Sequence, residues 1–407
     1  MQEAILEAGR RMTPFHVWRG VNLIAMLCLA VGIHHTSNAQ QQTALCSNGD
    51  GNYQAEFQST GVSVRIGASH DGELANRRCE ANLSWRGGAL PVATDAAQVD
   101  LDAFGADLGF GAPVAAFQIL RSDHDCCVEY RIYSLNKPPH LLRTLAGGSS
   151  FSAADTDLDS QIEIWTDDAA SVAGFDGLSA AELDSPPRII LRFTRGHLQD
   201  ASAEFQGDFD RVIKRLESEI NPGDLSGFKL TDGKLSNTHL PPERLHDLRL
   251  GKAKVLEIVW SYLYSGREPQ AWNALTEMWP AADRSRIQTA IIGARGHGMQ
   301  TKLDEPPLTH RGRHRHAQIF DATGEKLDFL APQPILLTRS SGGADTQPAG
   351  REESLLTLVI DAAGKVRSAQ GADPELIAAT AKWKFVPALI NGHAVASRMR
   401  LSVSLRQ

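Results

Sequence analysis

The chain has 407 residues, of which 42% are hydrophobic and 22% charged. This balance is ordinary for a globular protein and argues against wholesale disorder or a bundle of membrane helices. The formal net charge of −7 argues against nucleic acid as a partner. The length allows two or three domains.

Residues 1–39 have the pattern of a signal peptide. Arg10, Arg11 and Arg19 precede an apolar run, Val21–Ile33, and Ser37-Asn38-Ala39 offers the small residues that a signal peptidase reads. The apolar run has 13 residues, which is short for a helix that crosses a bilayer. We therefore expect cleavage before Gln40 and a periplasmic or secreted protein. The alternative is a retained anchor in the inner membrane.

Export would place the cysteines in an oxidising compartment, where disulfides form. The mature chain has four cysteines, Cys46, Cys79, Cys126 and Cys127. Because a bond between adjacent cysteines is strained, we expect Cys46 and Cys79 each to pair with one member of the adjacent couple. The alternative is a metal or redox site around residues 124–127.

Residues 40–196 predict a β-rich domain. Short runs such as Val114–Leu120, Val128–Tyr133 and Arg188–Phe193 are rich in β-branched and aromatic residues. Clusters of Gly, Asp, Asn and Pro separate these runs. The pattern is typical of an antiparallel sandwich or a partial propeller.

An acidic motif interrupts this domain. Asp155, Asp157 and Asp159 stand at alternate positions, and Glu163 follows four residues later. Carboxylates spaced in this way in a tight loop can converge on a hard cation such as Ca²⁺. Residues 155–165 resemble the acidic loop of FG-GAP-type propeller repeats, which implies a Ca²⁺ site. Ser160 stands where glycine would allow the sharp turn, and only one full copy is visible. The alternative is an acidic turn whose aspartates cap backbone N–H groups.

Residues 197–300 change to a helical period, with apolar residues at steps of three and four. Asn221-Pro222-Gly223 predicts the end of one helix, and Pro241-Pro242 predicts the start of another. We expect a helical segment that packs on its neighbours. Residues 301–326 form a basic linker or hairpin, in which His310, His314 and His316 make at most a weak metal site.

Residues 327–407 predict a small α+β domain with a helix packed on a sheet. A hairpin turns at Asp361–Gly364, Asp373 caps a helix, and Asn391-Gly392 forms a tight turn. The last strand, Val395–Leu405, alternates. One face carries Val395, Met399, Leu401, Val403 and Leu405, with Ser397 as the polar exception, and the other carries Arg398, Arg400, Ser402 and Ser404.

These residues also carry a resemblance. The series Val359–Val366, Trp383-Lys384-Phe385 with Pro387, and Asn391-Gly392 resembles the TonB C-terminal domain family. The resemblance implies that a sheet edge pairs with an extended segment of an outer-membrane receptor by β-augmentation. If the last strand is that edge, Arg398, Arg400, Ser402 and Ser404 are the partner-binding residues.

The chain departs from an energy-transducing TonB because it lacks a long Pro-rich spacer and its apolar segment looks cleavable. We therefore expect a multidomain envelope interaction protein that contacts a membrane only through its partner or a retained anchor. The sequence contains no Gly-x-Ser-x-Gly elbow, phosphate loop or His-Glu-x-x-His helix, and we do not predict an enzyme. The alternative is a secreted enzyme or ligand-binding protein with its site on the loops of the N-terminal β domain.

Overall fold

A computed structural model describes residues 44–69, 78–122, 127–178, 182–183, 186–235, 239–306, 318–322, 329–337 and 353–404. The predicted signal peptide, Cys126 and the three histidines of the basic linker lie outside these ranges. The protein is β-rich, with several sheets and a helical middle segment, as the sequence predicts. Residues Gln42–Gln407 form one compact unit.

The N-terminal part contains three successive antiparallel meanders of four strands each. The first sheet consists of β2 (Asn52–Phe57), β3 (Val62–Ala68), β4 (Cys79–Trp85) and β5 (Gly88–Ala96). The second consists of β6 (Gln98–Ala106), β7 (Val114–Leu120), β8 (Glu129–Ser134) and β9 (His140–Ala146), and β1 (Cys46–Ser47) adds to β6. The third consists of β10 (Phe151–Ala154), β11 (Glu163–Asp167), β12 (Arg188–Thr194) and β13 (His197–Asp200).

The middle segment forms helices α1 (Ala169–Val172), α2 (Gln206–Glu219), α3 (Pro222–Lys229), α4 (Pro242–Tyr264), α5 (Glu268–Met278) and α6 (Arg284–Arg295). The predicted break after α2 is confirmed, because the Asn221 side chain accepts hydrogen bonds from the N–H groups of Gly223 and Asp224 and starts α3. The helices share one core with the second and third sheets. Among the described residues, no helix combines the length and apolar character needed to cross a membrane.

The C-terminal part adds three short strands, β14 (Phe320–Asp321), β15 (Phe329–Leu330) and β16 (Gln333–Leu336). The predicted hairpin follows as β17 (Glu353–Ile360) and β18 (Val366–Gln370), and the predicted helix is α7 (Pro374–Ala379). The chain ends in β19 (Lys384–Val386), β20 (Ala388–Ile390), β21 (His393–Val395) and β22 (Ser397–Ser404). The strand order β14-β22-β17-β18 defines the C-terminal sheet.

Local turn signals are confirmed in this part. The Asp373 side chain accepts hydrogen bonds from the N–H groups of Glu375 and Leu376. Asn391 and Gly392 have φ angles of 52° and 80°, as a tight hairpin turn requires. The last strand differs from the expectation, because a break at Ala396 separates β21 from β22.

The C-terminal part is packed into the rest of the protein. Its own core contains Leu356, Leu358, Trp383 and Phe385. Other residues of the C-terminal part pack into the cores of the preceding sheets and helices. Ala362 and Ala363 lie in the core of the helices and the third sheet, and Ile335, Val386 and Leu389 lie in the core of the first two sheets.

Two buried ion pairs join this part to β6. Lys384 contacts the Asp100 carboxylate, and its Nζ also donates to the carbonyl of Leu101 at 3.2 Å. Lys365 Nζ lies 2.7 Å from Asp102 Oδ1 and 2.9 Å from the Asp102 carbonyl. All four side chains are at least 86% buried. Removing one partner of such a pair leaves an uncompensated charge in the interior.

The expected disulfide pairing is wrong, because Cys46 is bonded to Cys79. Strand pairing explains this bond. Cys46 pairs with Val99 of β6, whereas Cys79 pairs with Ala96 of β5. The tight β5–β6 connection therefore brings the two cysteines together. Cys127 is also disulfide-bonded.

Candidate functional site

The acidic motif forms the loop between β10 and β11. Carboxylate oxygens of Asp155, Asp157 and Asp159 lie within 4.8 Å of one another. Leu158 and Ser160 have φ angles of 61° and 69°. Ser160 thus adopts the left-handed conformation that glycine would favour at this position, and the sharp turn forms without a glycine.

Hydrogen bonds fix the carboxylates within this loop. Asp155 Oδ1 and Oδ2 each accept a backbone N–H at 3.0 Å, from Asp159 and Ser160 respectively. Both oxygens of Asp159 accept from Gln161 at 2.8 Å. These bonds agree with an acidic turn that caps its own backbone. They also leave lone pairs for a cation, because each carboxylate oxygen has two.

Glu163 lies at the base of the loop and is fully buried. Its Oε1 accepts from Arg192 Nη2 at 2.8 Å, and Arg192 also contacts Glu204 at 3.0 Å. Glu163 Oε2 is buried without a hydrogen-bond partner. Burial raises the pKa of Glu163 to about 8, although Arg192 opposes the shift, and the charges of Asp157 and Asp155 add to it.

A fifth carboxylate, Asp361, reaches this loop from the β17–β18 hairpin. Asp361 Oδ2 accepts the backbone N–H of Asp155 at 3.2 Å and Arg367 Nε at 2.7 Å. Its Oδ1 accepts the N–H groups of Ala363 and Lys365, which builds the hairpin turn. The sequence predicts only the turn role of Asp361, because its separation of 206 positions from Asp155 leaves no spacing signal.

The neighbouring acids change the titration of Asp155. Burial is the main cause that raises its pKa to about 7, and the charge of Asp361 is the next. Asp159 and Asp157 raise the pKa further, whereas the N–H of Ser160 lowers it. The loop therefore concentrates negative charge that a proton or a cation can neutralise.

The predicted partner-binding strand, β22, is the second candidate. Arg398, Arg400 and Ser402 are exposed, whereas Met399, Leu401 and Val403 pack partly buried on the local core. The predicted alternation is thus confirmed for these residues, and Ser397 is buried on the apolar side. The side chain of Ser404 lies outside the described part of the structure.

One side of β22 pairs with β17 along its whole length. On the other side, β14 pairs only with Ser397 and Arg398, and Ala322 N–H donates to the Arg398 carbonyl at 2.9 Å. Backbone groups alternate in direction along a strand. The N–H and C=O groups of Arg400 therefore point to the same outer edge as the Arg398 carbonyl.

We predict that the acidic loop makes the protein more stable at pH 5 than at pH 8 when divalent cations are chelated. The pKa values of Asp155 and Glu163 are raised from their ordinary values near 4 to about 7 and about 8. Between about pH 4 and these raised values, the folded chain therefore binds more protons than the unfolded chain. The free energy of unfolding then falls as the pH rises through this window. Urea denaturation at both pH values measures the difference.

Asp155→Asn should shrink that difference by about 1 kcal/mol or more, because an amide does not titrate. Asp95→Asn is the control, since the Asp95 side chain is 82% exposed. An unchanged pH dependence in Asp155→Asn would contradict the prediction.

Comparison with known proteins gives no assignment: no protein-family model matches the chain, and no curated protein or solved structure matches it either. The resemblances to the TonB C-terminal domain and to FG-GAP repeats stay predictions. Functional assignment therefore depends on the chemistry of the residues themselves.

Proposed function

We propose that the chain is an exported interaction protein of the cell envelope. Its C-terminal sheet binds an extended segment of an outer-membrane transport protein by β-augmentation. The N-terminal meanders form a partial propeller, since each has the strand number and order of a propeller blade. The chain works in the periplasm or after secretion, and an inner-membrane anchor at residues 1–39 is the alternative.

The outer edge of β22 is the observation that carries this proposal. Among the described strands, only β14 pairs with that edge, and it covers two of the eight residues. An edge with outward N–H and C=O groups is a template for an added strand. Backbone hydrogen bonds would supply affinity there without requiring a particular partner sequence.

The side chains on this strand favour an acidic partner. Arg398 and Arg400 are exposed on the same face, and arginine pairs well with carboxylates. Exposed charges mainly increase the association rate, and salt screens their attraction. Acidic segments should therefore bind faster at low ionic strength than neutral ones.

Arg400→Pro and Arg400→Ala together test augmentation. Both variants remove the charge, but proline also removes the outward N–H and leaves the bonds to β17 in place. We expect Arg400→Pro to bind peptides at least about tenfold more weakly than Arg400→Ala, since a tenfold loss corresponds to about one net hydrogen bond. Titration with peptides from the periplasmic N-termini of outer-membrane transport proteins measures the affinities.

Circular dichroism must first show that both variants are folded. Equal affinities in two folded variants would contradict augmentation at β22. If both variants bind equally weakly, and more weakly than the wild type, the charge of Arg400 and not the strand edge supports the interaction.

A second candidate function is Ca²⁺ binding by the acidic loop. Asp155, Asp157, Asp159 and Glu163 correspond to positions one, three, five and nine of calcium-binding loops. The closeness of the first three carboxylates and the unpartnered Oε2 of Glu163 support this proposal. A cation there would also offset the repulsion between Asp155 and Asp361.

Ca²⁺ should therefore raise the melting temperature at pH 8, because a ligand that binds only the folded state stabilises it by mass action. The shift should be smaller at pH 5, where protons compete for Asp155 and Glu163. Asp157→Asn should abolish the shift, and Asp95→Asn should preserve it. A melting temperature of the wild type that does not respond to Ca²⁺ would refute this candidate.

A further inference from the structure

A cleft of about 500 Å³ lies between the third sheet and α2. One wall is the face of the sheet that carries Ser152, Trp165 and Arg188. The opposite wall is α2, through Asp208 and Val212. This volume falls within the usual range for small-molecule sites, roughly 300–1,000 Å³.

Trp165 and Arg188 lie close together on the sheet wall. The Arg188 guanidinium lies 5.9 Å from the centre of the Trp165 ring, within the range of a cation–π contact. Phe205 packs edge-on against the same ring and holds it in place. The cleft thus offers a fixed aromatic surface beside a cation.

The carboxylates that line the cleft already have partners. Asp208 is paired with Arg211. Asp167 accepts the N–H groups of Ser149 and Ala169 and the hydroxyl of Ser149. These hydrogen bonds fix the positions of the two carboxylates, whose negative charges still favour a positive charge on Arg188.

Several N–H donors that face the cleft lack hydrogen-bond partners among the described residues, whereas its carboxylates have them. Arg188 lies across from Asp167 on the paired strands, yet its guanidinium makes no hydrogen bond or ion pair with any described residue. Trp165 Nε1 and Arg367 Nη2 also lack hydrogen-bond partners in the described part of the chain. Arg188 is exposed to the cleft. Burial lowers the pKa of its guanidinium, and the charges of Arg215 and Arg211 add to this shift, whereas the charges of Asp208 and Asp167 oppose it.

The geometry points to an acidic sugar as the ligand of this cleft, either a uronic acid or a sugar phosphate. Arg188 offers a planar fork of N–H donors that fits a carboxylate or a phosphate. Trp165 offers a flat surface for the C–H face of a sugar ring. The hydroxyl side chains of Ser150, Ser152 and Thr156 line the same cleft and match sugar hydroxyls.

Calorimetric titration with glucuronate, glucose 6-phosphate, glucose and inorganic phosphate tests this inference. We expect at least one of the two acidic sugars to bind more tightly than both glucose and inorganic phosphate. The better of the two identifies the acidic group as a carboxylate or a phosphate. Binding of neither acidic sugar at millimolar concentration would overturn the inference.

Variants locate the site. Arg188→Gln should weaken binding of the acidic sugar at least about tenfold, the usual scale for losing a charged hydrogen bond. Arg188→Lys keeps the positive charge but loses the planar fork of N–H donors. Its affinity for the acidic sugar should lie between those of the wild type and Arg188→Gln. Arg295→Gln is the matched control, because it removes an arginine that stacks on Tyr264. Unchanged affinity in a folded Arg188→Gln or Arg188→Lys protein, or an equal loss in Arg295→Gln, would contradict the assignment.

Discussion

The contacts of the C-terminal hairpin depend on the buried ion pairs at β6. Asp100 and Asp102 are two acids inside a strand whose other residues are nearly all buried and mostly apolar. Charges in such a place require partners. Lys384 and Lys365 supply them from β19 and from the β17–β18 hairpin, and Tyr130 adds a hydrogen bond to Asp102 at 2.7 Å. The Lys365 pair holds the hairpin on β6, and the Lys384 pair holds the neighbouring strand β19 there.

The hairpin then brings together the features on which the proposed functions depend. Asp361 meets the acidic loop, and Arg367, six residues later, lines the cleft of the third sheet. The C-terminal sheet, to which the hairpin belongs, presents β22 with part of its edge uncovered by described strands. A partner strand on β22, a cation at the loop and an anion in the cleft would therefore all act on elements connected through β17 and β18.

Local features were predictable because they depend on neighbours in sequence. The hairpin at Gly364, the Asp373 cap and the alternation of β22 follow from turn chemistry and side-chain period. The acidic loop was also predictable, since its ligand spacing lies within nine residues. By contrast, the Cys46–Cys79 bond, the contact of Asp361 with Asp155 and the cleft around Arg188 depend on strands far apart in sequence. Periodicity carries no information about which strands pair, so the disulfide prediction failed.

A double-mutant cycle on Lys384 and Asp100 tests the central claim most directly, with the free energy of unfolding measured by urea denaturation. Lys384→Met should cost about 3–5 kcal/mol, because it leaves Asp100 charged and buried. Adding Asp100→Leu should recover most of that loss. A cost of Lys384→Met within about 1 kcal/mol, as expected for the exposed pair of Arg78 and Asp95, would contradict the account.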